Sequence, residues 1–518
     1  MPIVNAGALN TTSLIVPDLY VQIVSPQTLL LNGVPTDVVG VVGSASWGPV
    51  GEPTICGSLG DYTAAFGPIM PRKFDLGTPV AVAVQQGAQN FRCVRVTDGT
   101  DSAAYLTLLG AITLVAIHTG SLGNQILVTL SAGSAANSWR LTVALPGQRP
   151  EIFDNITGSG NGFWQALANA INNGAGPLRG PSQYLIAAAG TASIAPVAGS
   201  YPFSAGTPGS DGATALTAAT LVGNDGSPRS GMYALRGQGC TITLLSDADD
   251  STQWGVQTAF GLSEGIYMMM TGPAGDDIAN AIAVKQSAGI DSYAAKLMFG
   301  DWIYWYDQAN QLTRLVSPQG FVAGRLANLS PEQSSLNKPL YGVIGSQKSG
   351  QPIIGTASAY ASADLAALLS AGIDVIANPQ PAGHFWGVRG GHNSSSNAAI
   401  NGDNYTRLTN YIAATLSSGM GLYVGQLINS TLFQNIRATL LGFLNAMLGQ
   451  GLLGSTDGSL PFSVLCDVSN NPVTRTGLGY VQADVQIQYQ AINEKFIVNV
   501  QGGQTVQVSR QTLPQGAI

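Results

Sequence analysis

Residues 479–490, GYVQADVQIQYQ, decide how this chain is read. Val481, Ala483, Val485, Ile487 and Tyr489 point one way and Gln482, Asp484, Gln486, Gln488 and Gln490 the other, the period-two pattern of a strand with one face in a core and one in water. Residues 495–500 (KFIVNV) and 505–508 (TVQV) follow with strand character of their own. A two-stranded hairpin alone is marginal in water, so the sheet calls for more strands or a covering helix. The expectation is that some of those strands come from other copies of the same chain.

Two helix patterns precede this stretch. Tyr405, Leu408, Tyr411, Ile412 and Leu416 follow helical spacing up to a stop at Gly419. Over 431–449, Leu432, Phe433, Ile436, Leu440, Phe443, Leu444, Met447 and Leu448 make one broad apolar stripe, with Ser430 as its cap.

Further upstream, short apolar runs at 37–42 (DVVGVV), 91–96 (FRCVRV), 240–245 (CTITLL), 265–270 (GIYMMM), 302–306 (WIYWY), 373–376 and 386–389 read as strands. Helix patterns lie at 58–67, with Ser58 capping the first turn, at 79–86 and at 362–371. From about 101 to 231 short β-like pieces alternate with Gly/Ser/Ala/Asn-rich loops, and one helix is expected at 162–172. The fold class that follows is mixed α/β and multidomain. An N-terminal extended arm spans 1–28, and a discontinuous α/β domain spans 29–100 and 232–395. A β-rich domain is inserted at 101–231, an α/β unit covers 396–492, and a C-terminal arm covers 493–518.

Composition narrows the function. The 518 residues carry only 9% charged side chains and 65 glycines, with a net charge of −7 and no basic run. So sparse a charge leaves little to keep copies apart, which points to assembly, and it argues against direct nucleic-acid binding. The N-terminus lacks the pattern of a signal peptide and no run of about 18 apolar residues occurs, so a soluble protein made in a cytoplasm is expected, without membrane insertion. Cys56, Cys93, Cys240 and Cys466 are far apart and read as four buried thiols.

No constellation for chemistry emerges. His118, His384 and His392 lack metal-ligand spacing, and Asp247, Asp249 and Asp250 lack the closing glutamate of a calcium loop and read as a strand-end turn. Asp276 and Asp277 suit a helix start. The loop GSASWGPVGEP (43–53) has no Gly-Lys-Ser/Thr, and the aromatics of 302–306 come without basic groups and read as core. Catalytic, cofactor and metal sites are therefore not assigned. A carbohydrate-binding or lytic virion protein, suggested by the β-rich insert and the aromatics, would need a cleft with paired carboxylates, and no such pair stands out.

The chain resembles the contractile tail sheath proteins of bacteriophages. The resemblance rests on PDLYVQIVSPQ, VVGVVGSASWGPVGEPTICGSLGDYTAAFG, TRLVSPQGFVAGRLA with LNKPLYGVIG, and LLSAGIDVIANPQPAGHFWGVRGG. It continues through NYTRLTNYIAATLSSGMGLYVGQLINSTLFQNIRATLLGFLNAMLGQGLL and FSVLCDVSNNP with VQADVQIQYQAINEKFIVNV. In the inserted region only IHTGSLGNQILV is similar. The resemblance implies stacked six-membered rings around a tail tube, with baseplate and tail terminator proteins as partners, in a virion tail assembled in the host cytoplasm. Contraction would drive the tube through the host envelope. It also implies that arm strands join neighbouring subunits: Tyr20, Val21, Gln22, Ile23 and Val24 at one end, and Phe496, Ile497, Val498, Asn499 and Val500 at the other. Val481, Val485 and Ile487 would lie on the receiving strand, the last domain including Arg437 would face the tube, and the insert would face outward. A headless, bacteriocin-like injection system is the alternative.

Overall fold

The computed structural model describes residues 31–175, 179–349, 360–502 and 504, and, for backbone alone, 3–4 and 21–22. Tyr20, Ile23 and Val24 of the expected N-terminal arm strand, and residues 505–508, lie outside the described residues. Val21–Gln22 pairs in parallel with Ile3–Val4, a two-residue ladder within the N-terminal region itself.

The centre is a seven-stranded sheet in the order Ile373–Asp374, Ala295–Met298, Tyr267–Thr271, Ile242–Leu245, Val39–Gly43, Phe91–Arg95, Pro53–Cys56. Every neighbouring pair is parallel except the last, where Pro53–Cys56 runs antiparallel to Phe91–Arg95. Continuous apolar runs such as Val39–Gly43 and Tyr267–Thr271 are buried along their whole length, as strands covered on both faces require. Trp302, Ile303 and Trp305 are buried beside this sheet, in or next to the strand Ile303–Asp307, and the two indole N–H groups donate to Gly272 O and Gln85 Oε1.

Helices cover the sheet through small residues. Gln319–Ala327 crosses Gly77–Gln85 so closely that a Cβ on Gly324 would stand 2.5 Å from Ala83 Cα, and one on Gly320 would stand 3.0 Å from Pro79 Cα. Ser58 caps Leu59–Phe66 by accepting from Asp61 N at 3.1 Å, and Asp277 caps Ile278–Ser287 by accepting from Ala279 N at 3.3 Å.

The insert has its own core. A four-stranded sheet (Glu151–Ile156, Trp139–Ala144, Leu127–Ala132, Gly199–Pro202) and a three-stranded sheet (Leu185–Ala189, Ile112–Ala116, Tyr105–Leu108) pack with the Asn161–Asn173 helix around Phe153, Phe163, Trp164 and Leu167. Residues 216–235 belong to another core, packing through Leu221, Met232 and Leu235 against Val42 and Val94. Arg95, fully buried, anchors the insert's stem by donating to Gly48 O (2.8 Å), Thr119 O (2.7 Å) and Asp211 O (3.3 Å). All four cysteines are buried free thiols.

Candidate assembly interface

The C-terminal unit rests on two helices, Asp403–Gly419 and Ser430–Gly449. The second buries Leu432, Phe433, Ile436, Leu440, Phe443, Leu444 and Met447, and packs them with Phe462 and Val464 in one core. Its cap is Asn429 and not Ser430, because Asn429 is the residue with extended backbone and its Oδ1 accepts from Leu432 N at 2.8 Å. Arg437 lies on the exposed face of this helix.

Phe462–Leu465 pairs antiparallel with Asp484–Ile487, from Phe462↔Ile487 to Leu465↔Asp484, and these two strands make up the sheet among the described residues. Each therefore keeps one edge of unpaired N–H and C=O groups. Val481, Ala483, Val485, Ile487 and Tyr489 pack against the helical core, as their alternation requires. The strand is much shorter than the 479–490 pattern. Asn471 explains the difference: its Oδ1 accepts from Gln482 N at 2.6 Å and its Nδ2 donates to Gln482 O at 2.9 Å, so a side chain takes the place of a partner strand.

Beyond Ile487 the chain is held by discrete contacts. Gln488 N donates to Pro461 O at 2.7 Å, the Tyr489 ring meets Tyr405 edge-on at 5.7 Å, and Asn404 Nδ2 donates to Gln490 O at 3.0 Å. Residues 495–500, expected as a strand, form none within their own chain. Phe496 (83% exposed), Ile497, Val498 and Val500 (85%) instead stand in water together with Asn499. An apolar β-type run without a strand partner among the described residues, in a chain whose last sheet has two strands there, suits strand addition between chains.

One cluster escaped the sequence reading. Lys296 Nζ, fully buried, lies 2.7 Å from Asp374 Oδ2 and 3.0 Å from Asp403 Oδ1, and donates to His392 O at 2.8 Å. Tyr267 OH donates to Asp403 Oδ1 at 2.6 Å, and Ser335 donates to Asp403 Oδ2 through Oγ (2.5 Å) and N (3.1 Å). Burial by itself raises the Asp403 carboxyl, but the Lys296 ammonium with the Ser335 and Tyr267 hydroxyls overcomes it and holds the group at about 2. Burial works against the Lys296 charge too, yet the Asp374 and Asp403 carboxylates raise its pKa. A buried lysine whose charge is held by two carboxylates stays protonated and has no free base to attack a carbonyl. The cluster acts as a joint, tying three strands of the central sheet to the first turn of the C-terminal unit. Its signal in the sequence is Lys296 itself, a lone charge in the apolar run AAKLMF that burial obliges to be paired.

The places where ligand chemistry would be sought are filled by the chain. In a doubly wound sheet the ligand crevice lies at the carboxyl ends of the strands where the order reverses, here between Val39–Gly43 and Ile242–Leu245. Segment 72–76 occupies it: Ser44 N donates to Phe74 O at 2.7 Å, Leu76 N donates to Ser44 O at 2.8 Å, and a Cβ on Gly43 would stand 2.8 Å from both Phe74 O and Ser246 Oγ. The loop 43–53 is taken up by the chain itself, through Leu122 N of the insert to Ser46 O and Arg95 of the central sheet to Gly48 O. Asp249 pairs with Lys73 at 2.9 Å, Asp250 caps a short turn by accepting from Thr252 N, and His118 packs edge-on against Trp47 at 5.2 Å. Among the described residues no group of three or more His, Cys, Asp or Glu is placed to hold a metal ion, and no helix is long and apolar enough to cross a membrane.

No family model matches the chain, and no curated protein matches it. Solved structures do. The sheath tail protein from Desulfitobacterium hafniense aligns with a TM-score of 0.58 at 14% identity, over 86% of this chain and 92% of that one. The sheath tail protein from Listeria innocua gives 0.58 at 13%, over 86% and 91%. The sheath of an extracellular contractile injection system, in its contracted state, gives 0.54 at 13%, over 94% and 97%. The chain thus has the fold of contractile sheath subunits, in tails and injection systems alike.

Proposed function

We propose that this protein is the structural subunit of a contractile tail sheath, polymerising as stacked six-membered rings around a tail tube and contracting to drive that tube through the host envelope. The observation that carries the reading is the unfinished C-terminal sheet. Phe462–Leu465 and Asp484–Ile487 leave two open edges, while Phe496–Val500 stands exposed and unpaired on the same unit. Open edge and spare strand answer each other only between copies. Val481, Val485 and Ile487 lie on or beside the receiving strand, and the arm strands are 20–24 at one end and Phe496, Ile497, Val498, Asn499 and Val500 at the other. Strands so exchanged stay paired while subunits rotate, because extended linkers reach roughly 3.3 Å per residue.

Contraction in this reading is driven by burial. About 200 Å² of additional apolar contact per subunit contributes roughly 5 kcal/mol, and many subunits sum to mechanical work without nucleotide hydrolysis. The C-terminal unit, including Arg437, faces the tube, and the insert faces outward. Baseplate and terminator proteins close the ends of the particle, a virion tail put together in the host cytoplasm.

Negative-stain microscopy of the purified protein tests the reading. Tubes with six-fold end views are expected, and a protein that stays monomeric at assembly concentrations rejects it. Deleting residues 1–25 should leave a folded subunit that makes no long tubes; tubes of normal length would reject the N-terminal arm. The likeness to injection-system sheaths keeps a headless contractile particle as the second reading.

A further inference from the structure

We infer that Glu494, clamped by His392, is the fixed pivot from which the C-terminal arm leaves its subunit. The inference rests on the arm having a function between copies, and it adds the point at which the arm is tied to the body.

His392 Nε2 lies 2.6 Å from Glu494 Oε1, and both residues line a groove of about 690 Å³. Residues 492–496 run along this groove, past Glu332, Lys338, Leu369 and Arg389. The ring belongs to a residue whose backbone is fixed from the centre of the molecule: Lys296 donates to His392 O, and His392 N donates to Asp374 Oδ2 at 3.2 Å. One residue thus connects the buried ionic joint of the α/β body to the chain's departing end. Before it, Tyr489 and Gln490 are held by the Asp403–Gly419 helix through Thr409 and Asn404. From Asn493 to Gly502 every residue is solvent-exposed. The His392–Glu494 contact is thus the side-chain tether of an exposed run, four residues beyond the backbone contact at Gln490.

A pivot here has a mechanical consequence. When the body turns, the start of the arm turns with it rather than trailing from the sheet, so the slack available between copies is set by the few residues after 494. The hub uses only the backbone of His392, so replacing its side chain leaves the joint's hydrogen bonds in place.

The test uses the full-length, unassembled subunit and trypsin, which cuts after Lys495. His392→Ala should raise the cleavage rate at Lys495 about five- to tenfold, because cleavage follows the population in which the segment is released. In a Glu494→Ala background the same His392→Ala change should have no further effect. The unfolding midpoint in urea should stay near that of the natural chain in every variant. A cleavage rate unchanged by His392→Ala, or an equal increase in both backgrounds, overturns the pivot. Because these readings are taken on free subunits, they stand apart from whether the protein forms sheaths.

Discussion

Lys296 on the Ala295–Met298 strand of the central sheet and Asp403 in the first turn of the C-terminal unit form a fully buried ion pair at 3.0 Å, 107 residues apart in sequence. With Asp374 at 2.7 Å, the single ammonium pairs with two carboxylates from different parts of the fold, and backbone N–H groups and hydroxyls supply the remaining donors. Removing one partner strands the others in a fully buried site. Lys296→Met should cost about 3–5 kcal/mol of unfolding free energy, measured by urea denaturation. A loss below about 1 kcal/mol would mean the joint contributes little.

The same joint sets an acid limit. Asp403 is held at about 2, below its ordinary value of 3.8, so its stabilisation is complete above about pH 4 and fades as pH falls through about 2.

Asp75 works in the opposite direction. Burial, only partly offset by hydrogen bonds from Thr78, pushes its carboxyl from 3.8 to about 7. The folded state therefore holds a proton that the unfolded state has already released. Stability is greatest below about pH 4 on this account and falls by roughly 4 kcal/mol as pH rises to about 7. Urea unfolding across that window should give a slope that Asp75→Asn flattens; an unaltered slope would assign it to other groups.

Gly324 allows its helix to lie against Gly77–Gln85. Because a Cβ there would meet Ala83 backbone, which has no rotamer to yield, Gly324→Val should lower stability by about 2–3 kcal/mol despite the better helix propensity of valine. Thermal unfolding decides it, and an unchanged midpoint would show that the two helices separate without cost.

Phe496, Ile497 and Val498 touch little within their own chain. Replacing all three with serine should leave the monomer's stability within about 0.5 kcal/mol per site and abolish long tubes in the microscope. Tubes of ordinary length would show that this segment is not the connecting strand.

The alternation from Val481 to Tyr489 and the stripe from Leu432 to Met447 were legible because each depends on a period that one element carries by itself. The apolar runs at 37–42 and 265–270 likewise announced strands, and the structure added that Val39–Gly43 and Tyr267–Thr271 are buried along their whole length. The capping residue slipped by one, from Ser430 to Asn429, since both types suit the position and only backbone conformation separates them. The strand Pro53–Cys56 went unnoticed inside a loop-like Gly/Pro stretch, because its pairing partner, Phe91–Arg95, supplies the order that its own residues do not. The length of Asp484–Ile487 was set by Asn471, whose claim on Gln482 leaves no trace in the alternation.

By itself the sequence determined the alternating and striped faces, the scarcity of charge, and the apolar run near the end, since all of these are local chemistry written along the chain. Only the tertiary structure decided that Lys296, Asp374 and Asp403 meet, that segment 72–76 fills the crevice at the strand ends, and that His392 reaches Glu494. Those contacts join groups up to about a hundred residues apart, and no local period encodes which distant charges will meet.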